Sequence, residues 1–232
     1  MLVKLDNGTD VTTMLGIKKY EPSIPANLGG QIIGYRPFWV PKTDEERVQN
    51  LVKELEEYQG MLFYVTEKLD GSSMSVYIHD GIFGVCSRNL DLKESEGNTH
   101  WRVAKEMDLE NKLRSLNCNI TIQGELIGEG IQKNPYKLQG QTFKMFNAFN
   151  PDTYKFYNFK QLGTLSDTLN IPRVPLLGEL ELDHSLDELL TKADGYSIFD
   201  STIPREGIVL RTKNRDRISF KVISNEFALN EE

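Results

Sequence analysis

The sequence predicts an α+β domain in which largely antiparallel sheets are flanked by helices. Short segments with alternating or continuous apolar residues occur at 61–86, 119–127 and 142–149, as expected of strands. A tight-turn signal, Asp80-Gly81, divides the first of these segments into a hairpin. Amphipathic helical patterns lie between the groups of strands, so we expect the helices to cover the sheets from outside.

Length and composition are those of a globular protein without a membrane segment. The chain has 232 residues, of which 39% are hydrophobic and 26% are charged. This is enough for a substantial core in one large domain or two small ones. No apolar run approaches the about 18 residues of a membrane-spanning helix, and the N-terminus lacks a signal-peptide pattern. We therefore expect a cytoplasmic protein, with a nuclear or organellar location left open.

Charge and the scarcity of metal-binding side chains limit the classes of function. The net charge of −7 argues against bulk electrostatic binding of nucleic acid. Basic residues concentrated between Arg205 and Lys221 still allow a local basic surface. Three histidines and two cysteines without motif spacing argue against a zinc site and against histidine-based catalysis.

The start of the chain is predicted to differ from the rest. We expect residues 1–40 to be an N-terminal extension or the remnant of an interdomain linker, and residues 41–232 to form one domain. Thr43 and Glu46 make a capping-box pattern in front of an apolar stripe. This pattern predicts a helix over 43–60.

Strand periodicity predicts which side chains of the next segments face the core. Within 119–127, Glu125 falls on the face opposite the apolar residues. Within 142–149, Phe146 and Ala148 fall opposite Phe143. Further helices are predicted at 100–116, 159–169 and 185–190, and two final strands at 206–211 and 217–223.

The most distinctive stretch is a turn that carries a lysine between two strand patterns. Lys68, Asp70 and Gly71 follow an apolar run, and two serines precede an alternating one. One interpretation is an ordinary reverse turn with a solvated lysine. The other is a lysine nucleophile that attacks phosphorus, followed by a glycine that lets the backbone approach a nucleotide. Four residues alone do not decide between them.

Further motifs follow this turn in a defined order. They are Ser87-Arg88-Asn89, Glu125, Phe146, Glu206-Gly207-Ile208-Val209-Leu210-Arg211 and Lys221. In order and spacing the set resembles the covalent nucleotidyltransferase superfamily of polynucleotide ligases and mRNA capping enzymes. The resemblance is closest to ATP-dependent RNA ligases of the nick-sealing type, the branch that includes the RNA-editing ligases. It implies that residues 41–232 form the ATP-grasp-like adenylation domain of a ligase.

The resemblance implies a reaction of three displacements at phosphorus. Lys68 would attack the α-phosphorus of ATP to give lysyl-AMP, the AMP would pass to an RNA 5′-phosphate, and a 3′-hydroxyl would displace it. Such steps depend mainly on positioning and on stabilisation of charge. The implied partners are Mg²⁺ or Mn²⁺ and RNA ends, in a nicked duplex or an RNA–DNA hybrid, bound by a monomer.

The resemblance also implies roles for individual residues, each with a plainer alternative. Asp70, Glu125 and Glu206 would hold the metal through its waters, or the two glutamates would be solvated strand residues. Phe146 would stack on adenine, or would be a core aromatic. Arg88 would contact the ribose or a phosphate, or would form a surface ion pair.

The last motif departs from the pattern of many relatives. Lys221 would contact the α-phosphate and lower the pKa of the nucleophile, but Ile223 occupies the position of a second lysine. Lys221 would act alone, or Arg211 or Lys213 would supply the missing charge. Glu67 would help to define the edge of the purine.

Two upstream cations and three alternative functions complete the prediction. Lys42 and Arg47, at the predicted helix start, would bind pyrophosphate or an RNA phosphate, or would be surface charges.

The alternative functions are a DNA ligase, a GTP-using capping-type enzyme and a non-catalytic nucleic-acid-binding module of the same fold. The first two usually carry an OB domain after the last motif, and binding alone does not require a nucleophile with carboxylates.

Overall fold

The computed structural model describes residues 11–17, 30–213 and 217–230, which form two sheets and flanking helices. The strands are β1 (Ile32–Tyr35), β2 (Glu46–Arg47), β3 (Leu62–Lys68), β4 (Ser72–His79), β5 (Ile82–Cys86), β6 (Leu90–Leu92), β7 (Ile120–Gly128), β8 (Gln141–Asn150), β9 (Lys155–Phe156), β10 (Leu176–Glu181), β11 (Gly207–Thr212) and β12 (Ser219–Ile223). The helices are α1 (Glu54–Tyr58), α2 (Thr99–Glu106), α3 (Leu109–Arg114), α4 (Phe159–Leu169), α5 (Leu186–Ala193) and α6 (Asn225–Asn230), with a short 3-10 helix at Val48–Asn50.

Both sheets are largely antiparallel, as the sequence predicts. The first sheet has seven strands in the order β1-β6-β5-β4-β7-β8-β9. The second has five strands in the order β10-β3-β11-β12-β2, and β2 joins it parallel to β12. The chain crosses between the sheets after β3, so the turn at Lys68 to Gly71 connects one sheet to the other.

Each sheet packs one face against helices. The seven-stranded sheet forms a core with α2, α3 and α4, whose buried side chains include Trp101, Leu113 and Leu165. The five-stranded sheet forms a second core with α1 and α5, through residues such as Leu55 and Leu189. Removal of these apolar surfaces from water is the main stabilising term for both layers. The opposite faces of the two sheets remain available to form a site between them.

Most predicted elements are confirmed. Strands β7, β8, β11 and β12 lie where the alternation placed them, and α4 spans 159–169 as predicted. The hairpin turn is present, with positive φ angles of 49° at Asp80 and 77° at Gly81. The capping box of Ser185 and Glu188 begins α5. These elements follow from signals that are local in sequence.

The helix predicted at 43–60 is wrong. Part of this segment is strand β2, and the α-helix begins only at Glu54. The Glu45 carboxylate is ion-paired with Arg211 of the second sheet, which holds the chain extended along that sheet. Tertiary contacts therefore override the local capping pattern.

Two further predictions need a correction or a limit. The helix predicted at 100–116 is divided into α2 and α3, because Asp108 adopts a left-handed conformation with φ 53°. Of the predicted extension at 1–40, residues 1–10 and 18–29 lie outside the described part of the chain, and β1 forms an edge of the first sheet.

Among the described helices, none has the length and apolar character that a bilayer crossing requires.

Candidate active site

A cavity of about 370 Å³ lies between the two sheets, within the size range of small-ligand sites. Predicted site residues from both sheets line it: Glu67, Lys68, Asp70, Arg88, Glu125, Phe146, Glu206, Arg211 and Lys221. Lys42 and Arg47 are exposed and do not belong to the lining. The helix start predicted here is wrong, because β2 occupies this position, while phosphate binding by these two cations stays a prediction.

The amine of Lys68, the last residue of β3, is ion-paired with a carboxylate. Its Nζ lies 2.5 Å from Oε1 of Glu206, and the two side chains are 24% and 17% exposed. Lys68 pairs in register with Gly207, which places the neighbouring glutamate beside it. Gly207 has φ 154°, and a Cβ there would lie 2.1 Å from the carbonyl oxygen of Val222, so the strand requires glycine at this point.

The turn after Lys68 is packed tightly against β7. A Cβ at Gly71 would lie 2.5 Å from the carbonyl oxygen of Leu126 and 2.7 Å from Cγ of Glu125. The backbone N–H of Asp70 donates to the hydroxyl oxygen of Tyr136 at 2.6 Å. Burial raises the pKa of the Tyr136 phenol, which therefore stays protonated at neutral pH. These contacts fix the turn on the first sheet.

Glu125 projects from β7 into the cavity rather than into solvent. The prediction that it faces away from the apolar core is confirmed, but this second face of the sheet is also covered, and neighbouring Gln123 is fully buried. Burial raises the pKa of Glu125 to about 8, because loss of water disfavours the charged carboxylate and the nearby Lys68 only partly offsets this effect. The half-buried position of Glu125 in the cavity wall disfavours the solvated-strand alternative, and its metal-binding role stays a prediction.

The carboxylates fit a metal that keeps its water ligands. In the described part of the chain, no group of three acidic, histidine or cysteine side chains is close enough to hold an ion directly. Asp70, Glu125 and Glu206 nevertheless line one cavity and influence one another electrostatically. Oxygen donors on separate elements, with space for water between them, suit Mg²⁺ or Mn²⁺.

Phe146 lines the cavity and lies at a bulge in β8. The pairing with β7 shifts between Gln123 and Gly124, whose partners are Asn147 and Met145, so Phe146 is the extra residue. After the bulge Ala148 returns to the helix-covered core, and the prediction that it shares a face with Phe146 is wrong. Strand phase thus gave the correct direction for the phenylalanine without revealing the bulge.

Glu67 is a buried acid with one oxygen that has no hydrogen-bond partner. The residue is 1% exposed. Its Oε2 accepts a hydrogen bond from the backbone N–H of Ile198 at 3.0 Å, while Oε1 accepts none from the described residues. A buried acceptor without a donor is costly, and Glu67 lines the cavity. The arrangement suits a ligand that brings an N–H donor.

The cations of the site differ in how they are paired. Arg88 donates two hydrogen bonds to Oδ2 of Asp44, at 2.8 and 2.5 Å, so its surface ion-pair alternative is present although the residue lines the cavity. Lys221 forms no salt bridge within the residues that the structure describes. Its side chain points to the cavity with Ser219 and Ile223 on the same strand face, as the alternation predicts.

Arg211 is buried in the cavity wall and is bound on several sides. Its guanidinium lies 3.1 Å from Oε1 of Glu45, donates to Oγ1 of Thr66 at 3.2 Å, and stands 5.5 Å from the ring centre of Phe146. Sequence reasoning missed Glu45, which also lines the cavity. No local signal could have identified it, since its partner lies far along the chain.

The chain is similar in sequence and structure to known proteins. The family model for RNA ligase matches residues 61–223. The chain is 42% identical to an apo mutant of Naegleria gruberi RNA ligase, with TM-score 0.83, over 97% of this chain and 67% of that one. A mutant of the same ligase with ATP and Mn is also 42% identical, with TM-score 0.84, over 96% of this chain and 66% of that one. A mutant of this ligase with AMP and Mn is 42% identical to the chain, with TM-score 0.83, over 97% of this chain and 68% of that one. No curated protein matches the chain by sequence.

Proposed function

The chain belongs to the RNA ligase family, and from this premise we propose that it joins RNA ends through a lysyl-AMP intermediate on Lys68. It is an ATP-dependent RNA ligase that uses a divalent metal. The observation that carries the proposal is the setting of the Lys68 amine, which shares one cavity with Asp70, Glu125 and Glu206. A structural lysine does not need three carboxylates and a ligand-sized space.

In the first step Lys68 Nζ would form a bond to the α-phosphorus of ATP, and the bond to pyrophosphate would break. The amine must lose a proton before it attacks, because an ammonium has no lone pair. Oε1 of Glu206 lies 2.5 Å from this amine. Attack therefore requires that the carboxylate be released from the amine.

A divalent metal would be held at Asp70, Glu125 and Glu206 through water. When bound, it supplies positive charge that stabilises the phosphate oxygens and the leaving pyrophosphate. The protein's own contribution is to keep the three carboxylates on separate elements around the nucleophile. Burial of Glu125 favours its protonated form, and a bound cation would favour the ionised form.

The adenine would be recognised deep in the cavity. Phe146 offers a ring face for stacking, and Val209 lines the same cavity from β11. The unpaired Oε1 of Glu67 would accept a hydrogen bond from an amino group of the base. A guanine would present a carbonyl oxygen where adenine presents this amino group, so the same acceptor would disfavour GTP.

The later steps would use the same nucleophile and the same cations. AMP would pass from Lys68 to an RNA 5′-phosphate, and a 3′-hydroxyl would then displace AMP and close the phosphodiester. Arg88 would contact the nucleotide after exchange from Asp44, and Lys221 would contact the α-phosphate. We propose nicked duplex RNA or an RNA–DNA hybrid as the substrate of a monomeric enzyme, with residues 41–232 as its catalytic domain. The exposed Lys42 and Arg47 would then meet RNA phosphates.

The proposal is tested by covalent labelling. The protein is incubated with α-labelled ATP, GTP or NAD and Mg²⁺ or Mn²⁺, and is analysed by denaturing electrophoresis. We expect label only from ATP, through an acid-labile and base-stable bond. Lys68→Arg should take up none, since a guanidinium stays protonated, whereas the exposed control Lys53→Arg should label normally. Labelling of Lys68→Arg would disprove the assignment of the nucleophile.

A further inference from the structure

A short crossing segment, residues 43–47, connects the two sheets at the cavity. On the first sheet, Oγ1 of Thr43 lies 2.6 Å from Oγ of Ser73. On the second sheet, the end of the segment pairs with β12 as strand β2. Its residues Thr43, Asp44 and Glu45 line the cavity. The crossing segment lies before the region 61–223 that matches the family model.

Glu45 is the most tightly held residue of the crossing segment. Its side chain is 8% exposed, and its carboxylate lies 3.1 Å from Arg211 and 2.7 Å from Arg217. The hydroxyl of Ser219 donates to its second oxygen at 2.5 Å. Burial alone would raise the pKa of Glu45, but the two arginines hold it below its ordinary value. A carboxylate with this set of donors is charged and fixed in place.

The two arginines that share Glu45 are placed differently. Arg211 lines the cavity and stands over the ring of Phe146. Arg217 lies instead 3.7 Å from the ring centre of Phe156 and is not part of the cavity lining. The Nε atoms of both arginines are buried and have no hydrogen-bond partner in the part of the chain that the structure describes. Glu45 thus provides the charged anchor of a guanidinium that forms part of the nucleotide site.

We infer that Glu45 is a positioning residue of the nucleotide site, which fixes the guanidinium of Arg211 and thereby the ring of Phe146 that receives the base of ATP. The inference rests on the proposed function, since it assumes that the base stacks on Phe146. A preorganised platform spares the ligand the cost of ordering these side chains on binding. Without the anchor, Arg211 would retain its bond to Thr66 and its contact with the ring of Phe146.

The test separates positioning from structural support with two matched variants. Glu45→Gln keeps the shape of the side chain but removes its charge, whereas Arg217→Met removes the other partner of the same carboxylate. ATP affinity is measured by calorimetry in a Lys68→Ala background, where no adenylate can form. The Michaelis constant for ATP and the maximal rate of adenylylation are measured with Lys68 intact, and thermal midpoints are recorded for every variant.

We expect Glu45→Gln to weaken ATP binding and to raise the Michaelis constant by roughly tenfold, with the maximal rate changed by no more than about threefold. Glu45→Asp, which keeps the charge, should recover part of this loss. Arg217→Met should lower the thermal midpoint with ATP affinity within about twofold of the parent. Glu56→Gln, an exposed acid on α1, is the neutral control.

A double variant tests whether Glu45 acts through Arg211. If it does, Glu45→Gln should add less than about twofold to the loss of ATP affinity caused by Arg211→Ala. Full additivity of the two losses would overturn the inference. The inference would also be overturned if Glu45→Gln and Arg217→Met lost ATP affinity to the same extent and both losses followed the fall in thermal midpoint. Parental ATP affinity in Glu45→Gln with normal labelling of Lys68 would overturn the inference alone, whereas labelling of Lys68→Arg would overturn the proposed function.

Discussion

Lys68 Nζ and Glu206 Oε1 form a 2.5 Å ion pair between the ends of two adjacent strands, inside the cavity that the two sheets share. The pair joins residues 138 positions apart in sequence. It unites the two halves of the proposed chemistry, the nucleophile and a carboxylate of the metal site. The same carboxylate cannot hold the ammonium and serve a metal equally well, so metal binding at Glu206 would compete with this ion pair.

Glu206→Gln should lower the rate of lysyl-AMP formation with little effect on folding. The pair is partly exposed, so its loss should change the free energy of unfolding by no more than about 1 kcal/mol. The rate of lysyl-AMP formation should fall by about 10² or more at limiting Mg²⁺, because a metal-binding charge is lost. The measurement is the initial rate of labelling across a range of Mg²⁺ concentrations.

A matched control for Glu206→Gln is Glu179→Gln. Glu179 forms an equally short 2.5 Å ion pair with Lys213, at an exposed position outside the cavity. This control should label at the parental rate. If Glu206→Gln also labels at the parental rate at every Mg²⁺ concentration, Glu206 does not belong to the metal site.

Glu125 should make stability depend on pH. Its pKa of about 8 in the metal-free protein arises from burial, with Glu206 and Asp70 adding to the rise and with Lys68 and Arg88 opposing it. An acid with a folded pKa above its unfolded value of about 4.3 binds more protons in the folded state. The contribution of Glu125 to stability is therefore fully present below about pH 4 and is lost as the pH rises through about 8.

Glu125→Gln should remove this pH dependence, because an amide does not titrate. Urea unfolding without metal should show that the variant gains stability relative to the parent between about pH 5 and about pH 8.5. Added Mg²⁺ should reduce the difference by stabilising the ionised parent. Parallel stability curves for the two proteins over this range would mean that Glu125 is not a titrating buried acid.

Local signals predicted the parts of the fold that depend on neighbours in sequence. The capping box of Ser185 and Glu188 begins α5, and the alternation around Glu125 placed that side chain opposite the apolar core. The family resemblance gathered residues from both sheets into one site, and the family model that matches is that of RNA ligase. Periodicity alone could not have joined them.

The failures come from contacts between distant residues. The capping pattern of Thr43 and Glu46 is a valid local signal, but Glu45 finds its partner Arg211 on the second sheet and the segment becomes extended. The bulge at Phe146 is likewise a property of the pairing between β7 and β8. Neither the extended segment nor the bulge can be predicted from the alternation within one strand, because this alternation does not specify how the strand pairs with its neighbour.

Gly71→Ala should destabilise the turn that follows the nucleophile. Its Cβ would lie 2.5 Å from the backbone oxygen of Leu126, which cannot move without disturbing β7. We expect a loss of about 1–3 kcal/mol in unfolding free energy and slower labelling, because Asp70 would be displaced. Gly97→Ala is the control, since no atom lies within 4 Å of a Cβ at that position. Equal thermal midpoints for the two variants would contradict the packing argument.

The cations of the last motif should contribute unequally. Lys221 has no salt bridge among the described residues, whereas Arg211 is already paired with Glu45. One cation–phosphate contact at about 4 Å is worth roughly 4 kcal/mol at an effective dielectric constant near 20, before desolvation. Lys221→Ala should therefore nearly abolish lysyl-AMP formation. If desolvation leaves roughly 3 kcal/mol of this contact, its loss should lower the rate by 10²-fold or more.

Arg211→Ala should also be impaired, but by a different route. Because Glu45 neutralises part of its charge, we expect the loss to appear more in the Michaelis constant for ATP than in the maximal rate. Ile223→Lys adds a cation on the same strand face as Lys221, two residues further along β12. This change should be tolerated and should partly restore labelling in Arg211→Ala, as measured by the initial rate at saturating ATP.

The decisive comparison is between the two cations on pre-adenylylated RNA, which bypasses the attack of Lys68 on ATP. A cation that stabilises charge at the α-phosphate is needed in this step as well, so Lys221→Ala should seal slowly. If Arg211 supplies the charge that Ile223 lacks, Arg211→Ala should be slow in sealing too. If Arg211→Ala forms lysyl-AMP and seals pre-adenylylated RNA at the parental rate, Lys221 acts alone or with Lys213.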